Sequence, residues 1–237
     1  MDVSETVRTA LVDQPVAGCR CLEAGAGVGN ATAGLLEADA KDVIAITDDP
    51  THARTVRDRI HDDRASVLRA DLRSIPLADD AVGFVTAHAL FNVVLPADAA
   101  TIVAELTRVA APDARLVVDD YSPIEDSRIR ELFAVENALA ELARGRPGLT
   151  FYPAAHLRGL FEGHGWTLER RATLLDPVPW TESHVQAHLA VARAFATDLP
   201  DAVADPLLER GERLAEEIGS ADVGRMYSLA FVRQELS

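Results

Sequence analysis

Between residues 19 and 118, short apolar runs alternate with amphipathic helical patterns, and this alternation constrains the fold more than any other feature of the chain. Strand patterns at residues 19–23, 43–46, 66–69, 82–87 and 115–118 are joined by short loops, with helical patterns at 31–38 and 97–109 between them. A further helix follows the second strand. Asp49 stands as its N-cap, Pro50 as its first residue, and Ala53, Val56 and Ile60 share one face. Strands separated by helices pair in parallel, and their sheet is covered on both faces.

The pattern changes after the fifth strand. Ile129, Leu132, Phe133, Leu139 and Leu142 predict a long amphipathic helix that stops at Gly145, Pro147 and Gly148, too much helix for a simple crossover. A second helix spans 154–162 and a strand begins at Trp166. Residues 176–180, with Pro177 and Pro179 around Val178, read as a stiff extended link. A helical pair over 181–219 carries the stripes Val185, Leu189, Ala192, Ala196 and Val203, Leu207, Leu214, Ile218, and a last strand covers 226–232. A lead-in helix over 5–12 precedes everything. At 237 residues the chain reads as one domain, 1–237, with 124–151 as a lid helix and 181–222 as a helical insertion before the last strand.

Charge narrows the function. Asp and Glu total 38 against 23 basic residues, a formal net charge of -15, and Lys41 is the single lysine. Such a surface repels phosphate backbones and lacks the basic stripe of a nucleic-acid reader, so nucleic acid is excluded as a partner. Carboxylate excess with arginine in place of lysine resembles the cytoplasmic proteins of halophiles; high-GC codon usage produces the same depletion. The longest uncharged stretch, 81–97, is interrupted by His88, Asn92 and Pro96 and is too short to span a membrane. The first residues lack the basic and apolar regions of a secretory signal, which makes the cytoplasm the expected location. Cys19 and Cys21 lie two apart on one extended run, a poor geometry for a disulfide, and are expected to be buried free thiols.

The most specific segment is Leu22-Glu23-Ala24-Gly25-Ala26-Gly27-Val28-Gly29-Asn30, between the first strand and its helix. Glycines there let the chain turn tightly and let a ligand lie against bare backbone, with the N–H groups of the helix start beside it. Gly25, Gly27 and Gly29 form GxGxG, whereas a dinucleotide fold would need glycine at Asn30. Glu23 would repel a pyrophosphate and suits a cation such as an α-amino group.

This segment resembles the first motif of the class I S-adenosylmethionine-dependent methyltransferases, above all their small-molecule group. The likeness continues in order through Ala70-Asp71-Leu72-Arg73-Ser74-Ile75-Pro76-Leu77 after the third strand. It reaches the helix, turn and fifth strand of residues 105–118, and returns more weakly over 152–166. The resemblance implies a Rossmann-like, doubly wound, seven-stranded, mostly parallel sheet with helical lid insertions, and S-adenosyl-L-methionine as cofactor. It implies that the glycine loop receives the methionine part, that Glu23 meets its amino group, and that Asp71 and the Leu72 backbone meet the adenine edge. Two departures stand out. The ribose-binding acid of the second strand is replaced by Thr47, leaving Asp48 as the candidate because Asp49 caps a helix, and Gly83 stands where many relatives open the fourth strand with aspartate.

The acceptor is expected beyond the ends of strands four and five, near Ala87, His88, Asn92, Asp119, Asp120 and Tyr121. His88 ranks first and Asp120 second as the base for an acceptor that arrives protonated. The Asn/Asp-Pro-Pro-aromatic motif of amino-methylating DNA enzymes is absent from Ala87-His88-Ala89-Leu90. His184 and His188, four apart near Glu182, lack HExxH and a third ligand, and read as histidines on a polar helix face rather than a metal site. The expected function is methyl transfer to a small-molecule acceptor. The alternative is a non-catalytic module that binds the same cofactor or a partner.

Overall fold

A computed structural model describes residues 3–234. In chain order the elements are α1 (Glu5–Leu11), β1 (Arg20–Ala24), α2 (Asn30–Glu37), β2 (Asp42–Thr47), α3 (Pro50–Arg59), β3 (Ala65–Arg69), β4 (Val82–His88), α4 (Pro96–Val109) and β5 (Ala110–Tyr121). The second half contains α5 (Arg128–Arg144), α6 (Ala154–Glu162), β6 (Trp166–Leu175), β7 (Pro179–Trp180), α7 (Glu182–Ala196), α8 (Asp201–Ile218), β8 (Ala221–Asp222) and β9 (Met226–Arg233).

Seven strands make one sheet in the order β3-β2-β1-β4-β5-β9-β6. The five strands of the first half are parallel, and β9 runs antiparallel between β5 and β6. Both faces are covered. Alternate residues of β2 divide between them, Ile44 and Ile46 joining a core with α4 and α6, Val43 and Ala45 one with α1, α2 and α3. This explains the continuous apolar runs in the central strands. α1 seats closely on α2 because Gly34 has no side chain; a methyl there would collide with Val7.

A third apolar cluster gathers α5, α7 and α8 beside the sheet, around Leu132, Leu139, Leu189 and Trp180. Within it the sequence expectation needs correction at two positions: Leu142 and Val203 are solvent-exposed. The buried stripe of α5 runs instead through Glu136, whose carboxylate bonds His188 Nδ1 of α7 at 2.8 Å. His188 is therefore no simple polar-face histidine: an acid occupies the apolar register and the imidazole satisfies it. His184 takes part in a capping box with Thr181 at the start of α7. No group of three or more metal-ligating side chains occurs among the described residues.

Other differences are of extent. β5 is longer than expected, because its ladder with β9 continues to Tyr121 beyond the apolar run. The stretch around Val178 is more than a link, since Pro179 and Trp180 pair with Asp222 and Ala221. Both cysteines are free, Cys21 buried and Cys19 half-buried. No described helix is long and apolar enough to cross a membrane.

Candidate functional site

The carboxyl ends of β1, β2 and β4 open into one cleft of about 820 Å³, within the size range of small-molecule sites. Glu23, Gly25, Gly27, Asp48, Asp71, Leu72 and His88 all line it. One wall is the glycine loop, which runs from β1 to the Gly29 cap of α2 with all three glycines at positive φ. At Gly25 a side chain would strike Leu90. At Gly27 (φ 46°) a Cβ would meet nothing nearer than the Gly25 carbonyl oxygen at 3.9 Å, so the bare backbone borders open cleft. Gly29, at φ 80°, completes the turn and is not itself a lining residue.

Glu23, one residue before the end of β1, lines the cleft with 3% of its surface exposed. Its Oε2 accepts from the Thr32 backbone N–H at 3.0 Å and from the Thr32 hydroxyl in a very short bond. Burial pushes its carboxyl up to about 7, against the lowering pull of the Thr32 bonds and His88.

The turn after β2 separates three neighbouring oxygen-bearing side chains. Asp49 caps α3, accepting from Thr51 N at 2.6 Å and His52 N at 2.9 Å. Thr47 is buried and its hydroxyl accepts from Asp49 N at 3.2 Å. Asp48 is exposed to the cleft, with no bond from its carboxylate to another described residue. Asp71 binds Arg73 at 2.6 Å, which holds its carboxyl below the usual range, and Arg73 also reaches Asp98 at 3.1 Å. The two oxygens of Asp71 already take four contacts from Arg73, through its backbone N–H, Nε and Nη2, so any ligand group at Asp71 would share the carboxylate with that arginine.

On the acceptor side the ends of β4 and β5 meet. His88 pairs with Asp119 in the strand register, and its Nδ1 lies 3.0 Å from Asp119 Oδ2. Burial would lower the His88 pKa; the bond and charge of Asp119, with Glu23 and Asp120 nearby, outweigh it and leave the imidazole above its ordinary value. Asp119 is 1% exposed and its Oδ1 has no partner. Asp119 stands among the expected crevice residues without a role of its own; the signal for its pairing is that neighbouring parallel strands bring the residues at their carboxyl ends side by side.

Asp120 is not among the residues that line the cleft. It is fully buried, its carboxylate accepting from the backbone N–H groups of Asn92 at 3.0 Å and Tyr121 at 2.7 Å. Burial raises its carboxyl to about 7. Gly83, at the other end of β4, lies outside the cleft.

Residues 22–118 match the methyltransferase domain family. None of the curated proteins matches the chain. Among solved structures, an S-adenosylmethionine-dependent methyltransferase from Mesorhizobium loti aligns with TM-score 0.60 at 15% identity, covering 96% of this chain and 95% of that one. The cyclopropane synthase MmaA2 from Mycobacterium tuberculosis aligns with TM-score 0.63 at 15% identity, covering 96% and 82%. A mycolic acid cyclopropane synthase solved with S-adenosylhomocysteine aligns at TM-score 0.61 and 15% identity, with the same coverage. The chain thus has the fold of the S-adenosylmethionine-dependent methyltransferases, and its residues 22–118 are similar to a methyltransferase domain.

Proposed function

We propose that this protein transfers the methyl group of S-adenosyl-L-methionine to a small-molecule acceptor. The observation that carries the reading is the shared cleft: bare glycine backbone and a buried acid at the end of β1 face the same space as a histidine at the end of β4. The donor set suits the cofactor. Glu23 would hold the α-amino group, the loop of Gly25, Gly27 and Gly29 the methionine chain, Asp48 the ribose hydroxyls, and Asp71 with the Leu72 backbone the adenine edge. When bound, the cofactor supplies a methyl group activated by a sulfonium.

The protein's own part is positioning, because in-line approach of the acceptor atom governs such a transfer. Where the acceptor arrives protonated, His88 takes the proton. Asp119 at Nδ1 favours the tautomer whose Nε2 is free to accept it, and stabilises the imidazolium that results. Asp119 is a positioning residue in this scheme. Asp120, ranked second as a base, contributes through the backbone of Asn92 and Tyr121, holding the turns beyond β4 and β5.

Gly27→Val tests the cofactor site, since the side chain would project into open cleft from a backbone conformation that valine resists. Calorimetry should find no S-adenosylhomocysteine binding to the folded variant and clear binding to the parent. Unchanged affinity would remove the assignment. Turnover is then sought as S-adenosylhomocysteine formed from the cofactor in a metabolite extract.

A further inference from the structure

Part of the cleft lining comes from the end of α5 and differs in chemistry from the glycine loop. There α5 ends at Gly145, which takes a left-handed cap (φ 70°), and Arg146, Pro147 and Gly148 turn back along the cleft. The turn is firmly held. The Asn137 side-chain oxygen accepts from Gly148 N at 3.0 Å and Leu149 N at 2.8 Å, its amide nitrogen donates to the Leu149 carbonyl at 3.0 Å, and Thr150 N donates to the Asn92 carbonyl at 2.6 Å. Phe195 of α7 also lines the cleft and supports the Arg144 guanidinium, whose central carbon lies 4.6 Å from the ring centroid.

Arg144 and Arg146 both face this cleft, and neither forms an ion pair with a described residue. Arg73, which lines the same cleft, differs from them, since Asp71 and Asp98 occupy its guanidinium. The cleft lining also holds the carboxylates Glu23, Asp48, Asp49, Asp71 and Asp98, yet none of them forms an ion pair with Arg144 or Arg146, which leaves two guanidiniums open to a ligand. The last-turn dipole of α5 favours a cation at Arg144, but Arg146 lies beyond the cap. Leu90, Val94 and Ile102 add apolar lining to the same cleft.

We propose that Arg144 and Arg146 form an oxyanion site, so that the acceptor is a small organic anion, a carboxylate or a phosphate ester. The anionic group binds the two guanidiniums, an apolar body lies along Leu90 and Val94, and the methyl-accepting atom is directed toward His88. Guanidinium groups suit both oxyanions because their N–H donors match paired oxygens. The word acceptor rests on the methyl-transfer reading; the anion site rests on the arginines. The net charge of -15 repels anions at long range, so recognition depends on these close contacts.

The test titrates benzoate, phenyl phosphate and the uncharged benzamide by calorimetry into the whole protein, with and without saturating S-adenosylhomocysteine. At least one anion should bind, at least about tenfold more tightly than benzamide, and the comparison of the two identifies the preferred oxyanion. The Arg144→Gln/Arg146→Gln double variant should lose at least about tenfold in anion affinity while binding S-adenosylhomocysteine as the parent does. Equal binding of benzamide, retained anion binding in the double variant, or no binding of either anion to the parent would each overturn the proposal. Failure of the parent to bind S-adenosylhomocysteine would instead remove the cofactor reading, and the titrations without it would still decide the anion site.

Discussion

Glu23 is an acid whose charge depends on what arrives beside it. Burial leaves its carboxyl at about 7 in the free protein; an ammonium group placed against it would favour the anion and lower that value. Binding the cofactor's amino group then releases a proton whenever the free protein holds one. S-adenosylhomocysteine affinity should therefore fall as pH drops from about 8 to about 6, by at most about tenfold per unit, and Glu23→Gln should bind weakly with little pH dependence. A flat profile for the parent would place the amino group elsewhere. The acid and the glycines were legible in the sequence because their chemistry is local to nine consecutive residues. The His88–Asp119 bond was less so, since it needs β4 and β5 to be neighbours. Arg144 and Arg146 carry no sequence signal at all, being two arginines around a helix-ending glycine until the fold sets them in the cleft.

At the start of α3 the chain places three oxygen-bearing side chains in succession and gives them different work. Asp49 has its carboxylate committed to two backbone N–H groups, while Asp48 faces the cleft. Asp49→Ala should cost about 1 kcal/mol of stability, as lost caps do, and leave cofactor affinity close to that of the parent. Asp48→Ala should do the reverse, with thermal melting unchanged and S-adenosylhomocysteine binding weakened about tenfold, the loss of a charged hydrogen bond. If Asp48→Ala binds normally and Thr47→Val does not, the ribose belongs to the threonine. Elements of this kind were readable because cap, proline and apolar face all lie within about one helix. Distant pairings were not: β7 and β8 are joined only after two intervening helices, and nothing in either dipeptide announces the other. On α5, Glu136 broke the apolar stripe, and only its histidine partner on α7 makes that register tolerable inside a core.

For the molecule as a whole, a net charge of -15 opposes compaction at low ionic strength, while surface pairs such as Arg8–Glu37 and Arg193–Glu212 offset only a little of it. Added potassium chloride screens the repulsion more than it weakens those pairs, so the melting temperature should rise on the order of 5 °C between about 0.1 and about 2 M salt. A flat response would leave codon usage as the reason for the single lysine. The position of β9 has a consequence for how the protein is made. This strand is synthesised after β6, α7 and α8, yet it lies between β5 and β6 and is the hydrogen-bonded link by which β6 joins the sheet. Until it emerges from the ribosome, the long edge of β5 stays unpaired, a template for association with another nascent chain. The glycine loop and the ends of β1, β2 and β4 are translated early, but the sheet beneath them is completed only when the last strand pairs between β5 and β6, and the distance in sequence between β5 and β9 makes that step slow.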